Sequence, residues 1–342
     1  MNKFFFSFVV GLWVMILLNM PLIAQENNES LAVLNWLELD NKINNKYWTA
    51  DYRDKDRELY IKPIWKKKNG EEGKKILGML PKKSSSYTTA VNVLLSTLQK
   101  EKIYAEFYVY NFKGKQNLAK NIVDNALAQE FDLVYSMGSA TAEFFFNSYR
   151  NIEIPVVTAI TKDPVTMGWV ENYESGTQSN IATTSLNVHP KILTNYILDM
   201  VPDLENVVIL YEFEHTQVRK TEVEPLINVL KKNKQHKPIN FHRLIVENRK
   251  DAYKILNSKL PIVINELEKS DVGLTKSIIL LTSSTTVFSN IELINQHSKQ
   301  LPVISLVPNI VRQGEHSALI AIGIDRRNNA QIASSEIGRA HV

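Results

Sequence analysis

The chain has 342 residues, enough for two domains of ordinary size, and its 44% hydrophobic and 22% charged residues have the balance of a globular protein, which excludes a disordered chain. The 40 basic and 36 acidic residues leave a formal net charge of +4, an excess too small to indicate a nucleic-acid-binding surface. There are no cysteines, which excludes disulfides, thiolate metal sites, a cysteine nucleophile and a lipidated N-terminal cysteine.

Residues 1–24 have the layout of a secretory signal peptide. Lys3 supplies a positive charge, residues 4–18 are almost wholly apolar, and cleavage is expected near Ala24. The alternative is an uncleaved membrane anchor, because an apolar stretch of about 20 residues is just long enough to span a bilayer. Since the chain cannot carry a lipidated cysteine, the cleaved product is expected to be free in a periplasm.

Residues 25–74 form a polar N-terminal extension. They are rich in Asn, Lys, Asp and Glu, with Trp36, Trp48 and Trp65 scattered among them. One short helix is predicted over 31–39, and the absence of a sustained period elsewhere predicts little regular structure.

From Lys75 onward, short apolar strands alternate with amphipathic helices. Strands are predicted at 76–80, 107–110, 133–137 and 155–160, with helices between them that begin after Ser84–Ser86, near Leu118 and at Ala140. This alternation is typical of βαβ units and a parallel sheet.

The same rhythm then restarts. Strands are predicted at 181–184, 207–211, 239–246, 278–281, 303–306 and 319–324, and helices at 190–200, 216–232, 249–269 and 287–299. We expect the third of these helices to break before Pro261. Two such sets predict an α/β protein with two doubly wound parallel-sheet (Rossmann-like) lobes of about 100–130 residues each and a cleft between them.

The candidate ligand-binding residues follow the strands, because open parallel sheets bind ligands beyond the carboxyl ends of their strands, where helix N-termini also point. The predicted site consists of Ser84, Ser85, Ser86, Gly138, Ser139, Ala140, Thr141, Lys162, Asp163, Tyr211, Ser283, Ser284, Thr285 and Asn309.

Hydroxyls and free backbone N–H groups in these segments could hold a carboxylate or another polar group, while the alternative for each segment is ordinary N-capping. Lys162 and Asp163 could complement a zwitterion, with Asp163 facing an amine, or could form an exposed Asp-Pro turn. Tyr211 could stack on a ligand or belong to the core.

Catalytic motifs are absent from the sequence. It contains no Gly-x-Gly-x-x-Gly, Walker loop or Gly-x-Ser-x-Gly elbow, and its histidines lack metal-ligand spacing. A metal or acid–base cluster of His215 with Glu212 and Glu214 is the alternative. We therefore expect no enzymatic activity, cofactor or metal, and no nucleic-acid partner.

The last residues, 336–342, resemble the translation of a sequencing-adapter read-through. They are interpreted as a non-native tail that replaces the end of the reading frame near Ser335 and a further C-terminal helix.

Several segments together resemble the ABC-transporter substrate-binding family that is related to tryptophan and tyrosine binders. They are Asp132–Ala142, Ile154–Ala159, Asp163-Pro164-Val165 with Gly168, Asn180-Ile181, Val201–Val207, Leu301-Pro302-Val303 and Gly323-Ile324-Asp325. The resemblance covers roughly 75–333, and the N-terminal extension has no counterpart in it.

The resemblance implies a type I periplasmic-binding-protein fold with three crossings between the lobes. Lobe 1 would hold 75–179 plus about 307–325, and lobe 2 would hold 180–306. It further implies that hinge closure traps a small polar, amino-acid-like molecule for an ABC permease in the inner membrane. The alternatives are an extracytoplasmic sensory ligand-binding domain of a signalling protein and, without any site that can be named, a glycosyl- or acyl-transfer enzyme.

Overall fold

The computed structural model describes residues 36–40, 46–54, 56–67, 70, 72–233, 237–314 and 316–339. The predicted signal peptide, the first part of the extension and the last three residues of the predicted tail lie outside them. The structure has two sheets with helices packed against them, and the predicted α/β class with two lobes is confirmed.

Lobe 1 is built on a seven-stranded sheet. Its strands are β1 (Trp48–Asp54), β2 (Glu58–Pro63), β3 (Lys74–Leu80), β4 (Ala105–Asn111), β5 (Leu133–Met137), β6 (Val156–Ala159) and β7 (Ile181–Ala182), in the order β1-β2-β4-β3-β5-β6-β7. Strands β3 to β7 pair in parallel with one another. Its helices are α1 (Ser85–Lys100), α2 (Gln116–Ala128), α3 (Ser139–Ser148) and α4 (Pro164–Met167).

The N-terminal extension contains an antiparallel hairpin, where little regular structure was predicted. Strand β1 pairs with β2, and β2 pairs with β4 at the edge of the parallel sheet. Leu59 and Ile61 are buried on one face of β2, and Trp48 is buried at the start of β1. Since only alternate residues of an edge hairpin are buried, its apolar content is too low to stand out in a polar segment. The described residues of the predicted 31–39 helix, 36–39, are not helical.

Lobe 2 is built on a five-stranded parallel sheet. Its strands are β8 (Asn206–Glu212), β9 (Asn240–Val246), β10 (Ser277–Leu281), β11 (Val303–Ser305) and β12 (Ile320–Ala321), in the order β12-β11-β10-β8-β9. Its helices are α5 (Pro190–Met200), α6 (Thr216–Val218), α7 (Glu224–Lys232), α8 (Ala252–Ser270), α9 (Thr285–Phe288) and α10 (Ile291–Ser298), with a π-helical turn over Arg219–Val223 that joins α6 to α7.

Helix α8 is continuous through Pro261, so the predicted break is wrong. A proline inside a helix costs about 3 kcal/mol because it removes one backbone hydrogen bond and crowds the preceding turn. Leu256, Leu260 and Ile264 are fully buried on both sides of Pro261. The packing of this stripe in the core of lobe 2 outweighs the local cost.

The crossings between the lobes differ from those predicted. Strand β7 pairs with β6, so residues 180–182 belong to the first sheet, and β12 pairs with β11, so the return toward lobe 1 comes after Ala321. The return is made by α11 (Arg326–Arg339), whose Ala330, Ala333 and Ile337 pack in the core of lobe 1. The described chain thus crosses twice, and α11 runs through the first four residues of the predicted tail.

Candidate functional site

A cavity of about 800 Å³ lies between the two sheets. Its walls come from the segments that follow β3, β4, β5 and β6 in lobe 1 and β8, β10 and β11 in lobe 2, together with the start of α11. This volume is in the range of small-molecule sites. The carboxyl ends of strands from both lobes therefore converge on one cleft, as the pattern of polar strand ends predicted.

Eight of the fourteen predicted site residues line this cavity: Ser85, Ser86, Ser139, Ala140, Lys162, Ser283, Thr285 and Asn309. They come from both lobes and include at least one member of each of three hydroxyl-rich segments, 84–86, 139–141 and 283–285. Because the lining involves both sheets, a ligand held here would contact both lobes at once.

The other six predicted residues have structural contacts instead. Ser84 is the N-cap of α1, and its hydroxyl accepts a hydrogen bond from the Ser86 amide at 3.3 Å. The Thr141 hydroxyl donates to the Met137 carbonyl at 2.9 Å inside lobe 1. Tyr211 is 2% exposed and packs in the core of lobe 2, while the Ser284 hydroxyl donates to Glu212 at 3.0 Å.

Asp163 does not line the cavity, so the predicted contact with a ligand amine has no support in its position. Its carboxylate accepts hydrogen bonds from the Thr166 amide at 2.7 Å, as the N-cap of α4, and from the Tyr173 hydroxyl. The sixth residue, Gly138, lies behind the cavity wall at the start of α3.

Gly138 adopts φ +89° and ψ 155°, a conformation essentially restricted to glycine. A Cβ atom there would lie well inside the van der Waals distance of the Tyr87 hydroxyl. Glycine is therefore required both by the backbone and by the close approach of the ring. Because of this close approach, the Tyr87 ring lies over the N-terminus of α3, where it lines the cavity. The sequence analysis did not single out Tyr87.

A buried ion pair crosses the cleft. The Lys162 ammonium of lobe 1 donates to Glu222 of lobe 2 and to the Ser283 hydroxyl, the latter at 2.5 Å. The Ser283 amide and hydroxyl donate to Glu222 at 2.8 and 2.5 Å, and the Asn187 side chain donates to it at 3.3 Å. The backbone N–H of Lys162 donates to the Ser139 hydroxyl at 2.9 Å.

Glu222 is charged in this setting. Burial alone raises the pKa of a carboxyl, but the Lys162 ammonium and the hydrogen bonds from Lys162 and Ser283 outweigh it and lower the pKa of Glu222 below its ordinary 4.5. Glu222 lies in the π-helical turn, a feature often found at functional sites. Nothing in its sequence neighbourhood distinguishes it from a surface glutamate.

His215 also lines the cavity. Burial, and then the nearby positive charge of Lys162, lower the pKa of His215 below its ordinary 6.5, so the imidazole is neutral at pH 7. Within the described part of the chain, no group of three or more His, Asp or Glu side chains could hold a metal ion. The alternative metal cluster with Glu212 and Glu214 therefore gains no support from the geometry.

Basic side chains form much of the remaining lining: Lys82, Lys113, Arg326 and Arg327. The sequence analysis missed all four, because they come from segments far apart in the sequence and no motif links them. Asp325 is the acidic residue of the lining, and its carboxylate caps α11 by accepting hydrogen bonds from the Arg327 and Asn328 amides at 2.7 and 3.3 Å.

The profile of the family described as ABC transporter substrate binding protein matches residues 85–337. A comparison with curated proteins gave no match. Among the described residues, no helix has the length and apolar character needed to cross a membrane.

Several solved structures resemble this chain in fold. The ligand-free, open form of CD0873, a substrate binding protein with adhesive properties from Clostridium difficile, has 15% identity and a TM-score of 0.57 over 78% of this chain and 84% of that one. The ABC domain in complex with L-Trp from Streptococcus pneumonia has 16% identity and a TM-score of 0.55 over 79% and 85%. A conserved domain protein from Vibrio cholerae has 16% identity and a TM-score of 0.55 over 78% and 84%.

Proposed function

Because the chain belongs to the ABC transporter substrate-binding protein family, we propose that it captures a small polar molecule in the interlobe cleft and delivers it to the permease of an ABC importer. The observation that carries the proposal is the cleft itself, a cavity of about 800 Å³ lined by strand ends of both lobes. Catalysis is not part of the proposal, since the family that the chain matches is one of substrate-binding proteins.

Ligand capture would be coupled to lobe closure. A molecule that contacts Ser85 and Ser139 of lobe 1 and Ser283 and Thr285 of lobe 2 makes its full set of contacts only when the lobes are together. Such a ligand stabilises the closed form by its differential affinity for that form. Closure around the ligand is the signal that a permease reads in this proposal.

The proposed location is the periplasm, with the permease in the inner membrane. Support comes from the family and from the signal-peptide pattern of residues 1–24, which lie outside the described residues. An amino-acid-like ligand, the prediction from sequence, draws support from the L-Trp complex of the Streptococcus pneumonia domain. Hydroxyls in the cleft suit a carboxylate, but the Glu222 carboxylate that could pair with an amine is bound to Lys162.

A distance measurement between the lobes tests the proposal. The chain has no cysteines, so Lys83→Cys and Glu214→Cys introduce two unique labelling sites, both exposed and each next to a residue that lines the cavity. Spin labels at these positions are expected to report a shorter and narrower distance distribution when a compound from a panel of amino acids, organic acids and sugars binds. Binding that leaves the distribution unchanged would contradict closure.

The control carries the same label on Lys83→Cys together with a second label on lobe 1, at exposed Lys115→Cys. This pair lies within one lobe and is expected to keep its distance. A panel in which no compound raises the melting temperature would count against the proposed function as a whole.

A further inference from the structure

The charge of the cleft is strongly one-sided. The residues that line it include five basic side chains, Lys82, Lys113, Lys162, Arg326 and Arg327, and one acidic side chain, Asp325. The whole chain is close to balance, with 40 basic and 36 acidic residues. The cleft thus concentrates positive charge well beyond what the composition requires, and such a field favours anions.

Two of the five cations are already paired. Lys162 is bound to Glu222 across the cleft, and Lys113 lies 3.4 Å from exposed Asp56. Lys82, Arg326 and Arg327 have no ion-pair or hydrogen-bonding partner for their side chains among the residues that the structure describes. Burial lowers the pKa of Arg326 from its ordinary value even though Asp325 is near, so its guanidinium is partly removed from water without a carboxylate in contact.

An unpartnered donor faces the same space. Tyr87 is 9% exposed and lines the cavity, and its hydroxyl makes no hydrogen bond within the described structure. Burial raises the pKa of Tyr87 to about 12, so the hydroxyl keeps its proton and can donate. It lies beside Gly138 at the N-terminus of α3, and the N-termini of α1 and α11 open on the same cavity through Ser85, Ser86 and Arg326. Helix N-termini favour anions.

Among the residues that the structure describes, the cleft offers little to an ammonium group. The Glu222 carboxylate accepts hydrogen bonds from Lys162, Ser283 and Asn187, and the Asp325 carboxylate caps α11. Asp163 is engaged behind the wall as the N-cap of α4. Among the described lining residues, a zwitterion would therefore find for its ammonium only the Oδ2 atom of Asp325, whose Oδ1 caps α11 and whose neighbours Arg326 and Arg327 are cations.

We propose that the ligand is a small organic anion, bound through carboxylate or phosphate oxygens by Arg326, Lys82 and the Tyr87 hydroxyl, with no ammonium group that the protein must pair. This inference rests on the proposed function and narrows its small polar molecule to one substrate class, in place of the amino-acid-like ligand predicted from the sequence. The anion supplies the counter-charge that Arg326 lacks, and the pair is strengthened by partial exclusion of water.

Isothermal titration at low ionic strength with matched probes tests the inference. Succinate is compared with succinamide, a neutral counterpart of similar shape, and glycerol 3-phosphate with glycerol, which lacks the anionic group. L-tryptophan represents the zwitterions. At least one anion is expected to bind at least about tenfold more tightly than its counterpart and than L-tryptophan, and more weakly as salt is added. The two anionic arms separate a carboxylate ligand from a phosphate ligand.

Variants connect the binding to the named groups. Arg326→Gln is expected to weaken the preferred anion on the order of 10- to 100-fold, and Tyr87→Phe by about tenfold. Lys82→Gln, at an exposed position where folding is not at risk, is expected to weaken binding as well. The control Lys259→Gln removes the same charge from the exposed face of α8 and is expected to leave affinity within about twofold.

The outcomes separate the two proposals. Tighter binding of L-tryptophan or of a neutral probe, unchanged by Arg326→Gln, would overturn the anion inference and leave ligand capture in the cleft standing. Binding of no probe at millimolar concentration would count against both. If Arg326→Gln and Lys259→Gln weaken anion binding equally, the effect comes from the net charge of the protein. That result would overturn the assignment of the anion site to Arg326.

Discussion

Glu222→Gln tests whether the buried pair with Lys162 holds the two lobes together. The side chains of Lys162 and Glu222 are 10% and 3% exposed, so the variant leaves an ammonium in a nearly dry site without its counter-charge. Breaking a buried pair from one side costs about 3–5 kcal/mol. Because Lys162 lies on lobe 1 and Glu222 on lobe 2, opening the cleft returns the ammonium to water. We therefore expect the variant to open before it unfolds, with a shift in the closed-to-open ratio of about 100-fold or more.

The assay is the distance between spin labels at positions 83 and 214 in the absence of ligand, with the radius of gyration from small-angle scattering as a second measure. Glu222→Gln and Lys162→Met are each expected to lengthen the distance. The double variant removes both charges, and its label-to-label distance is expected to be closer to that of the original protein than the distance in either single variant. Lys237→Met, which breaks an exposed pair with Glu205, is the control and is expected to leave both the distance and the stability nearly unchanged.

The same bridge predicts a pH dependence. The pKa of Glu222 is lower in the folded protein than its ordinary 4.5, so its stabilising effect is complete above pH 4.5 and is lost as the pH falls through the folded-state value. The lobes are expected to open in acid, and Glu222→Gln should lack this step. Single variants that keep both the original distance distribution and the original melting temperature would refute the bridge.

Two further substitutions test the packing that shapes the cleft. Gly138→Ala must place a Cβ at φ +89° against Tyr87 and is expected to destabilise lobe 1 by about 2 kcal/mol or more in urea unfolding. The control Gly176→Ala, at φ +60° with open space around it, should cost about 1 kcal/mol. Equal costs for the two variants would contradict the close approach of Tyr87 to Gly138. Ile337→Ala is expected to lower stability by about 2–5 kcal/mol because Ile337 is fully buried, while Ile332→Ala on the same helix, 57% exposed, should be nearly neutral; a neutral Ile337→Ala would show that the end of α11 is dispensable.

Much of the fold could be predicted from local pattern. Strands such as Leu133–Met137 are buried on both faces and appear as continuous apolar runs, and α5 begins and ends where proline and the apolar stripe indicate. The predictions failed where local and tertiary preferences conflict. Pro261 lies inside a helix that the core stabilises, and the β1–β2 hairpin buries only alternate residues and needs β4 beside it to form.

The candidate site was predictable at the level of segments and not of side chains. Which residues of a strand-end segment face the cleft depends on the turn, so Ser283 and Thr285 line it while Ser284, between them, bonds to Glu212. Tyr211 packs in the core because β8 is buried on both faces of the sheet, so a side chain within the strand contacts the layers on either side of it and not the cleft.

The sequence by itself determined the alternation of strands and helices, the two lobes and the cleft between their strand ends, since each follows from local composition and spacing, and the resemblance of a few segments indicated the family. Only the tertiary structure decided the chemistry of the cleft. It places Lys82 and Arg326, which are far apart in the sequence, in the lining of one cavity, and it pairs Lys162 with Glu222 from the other lobe. Charge at a site is a sum over groups that are near in space, and no local window of sequence contains that sum.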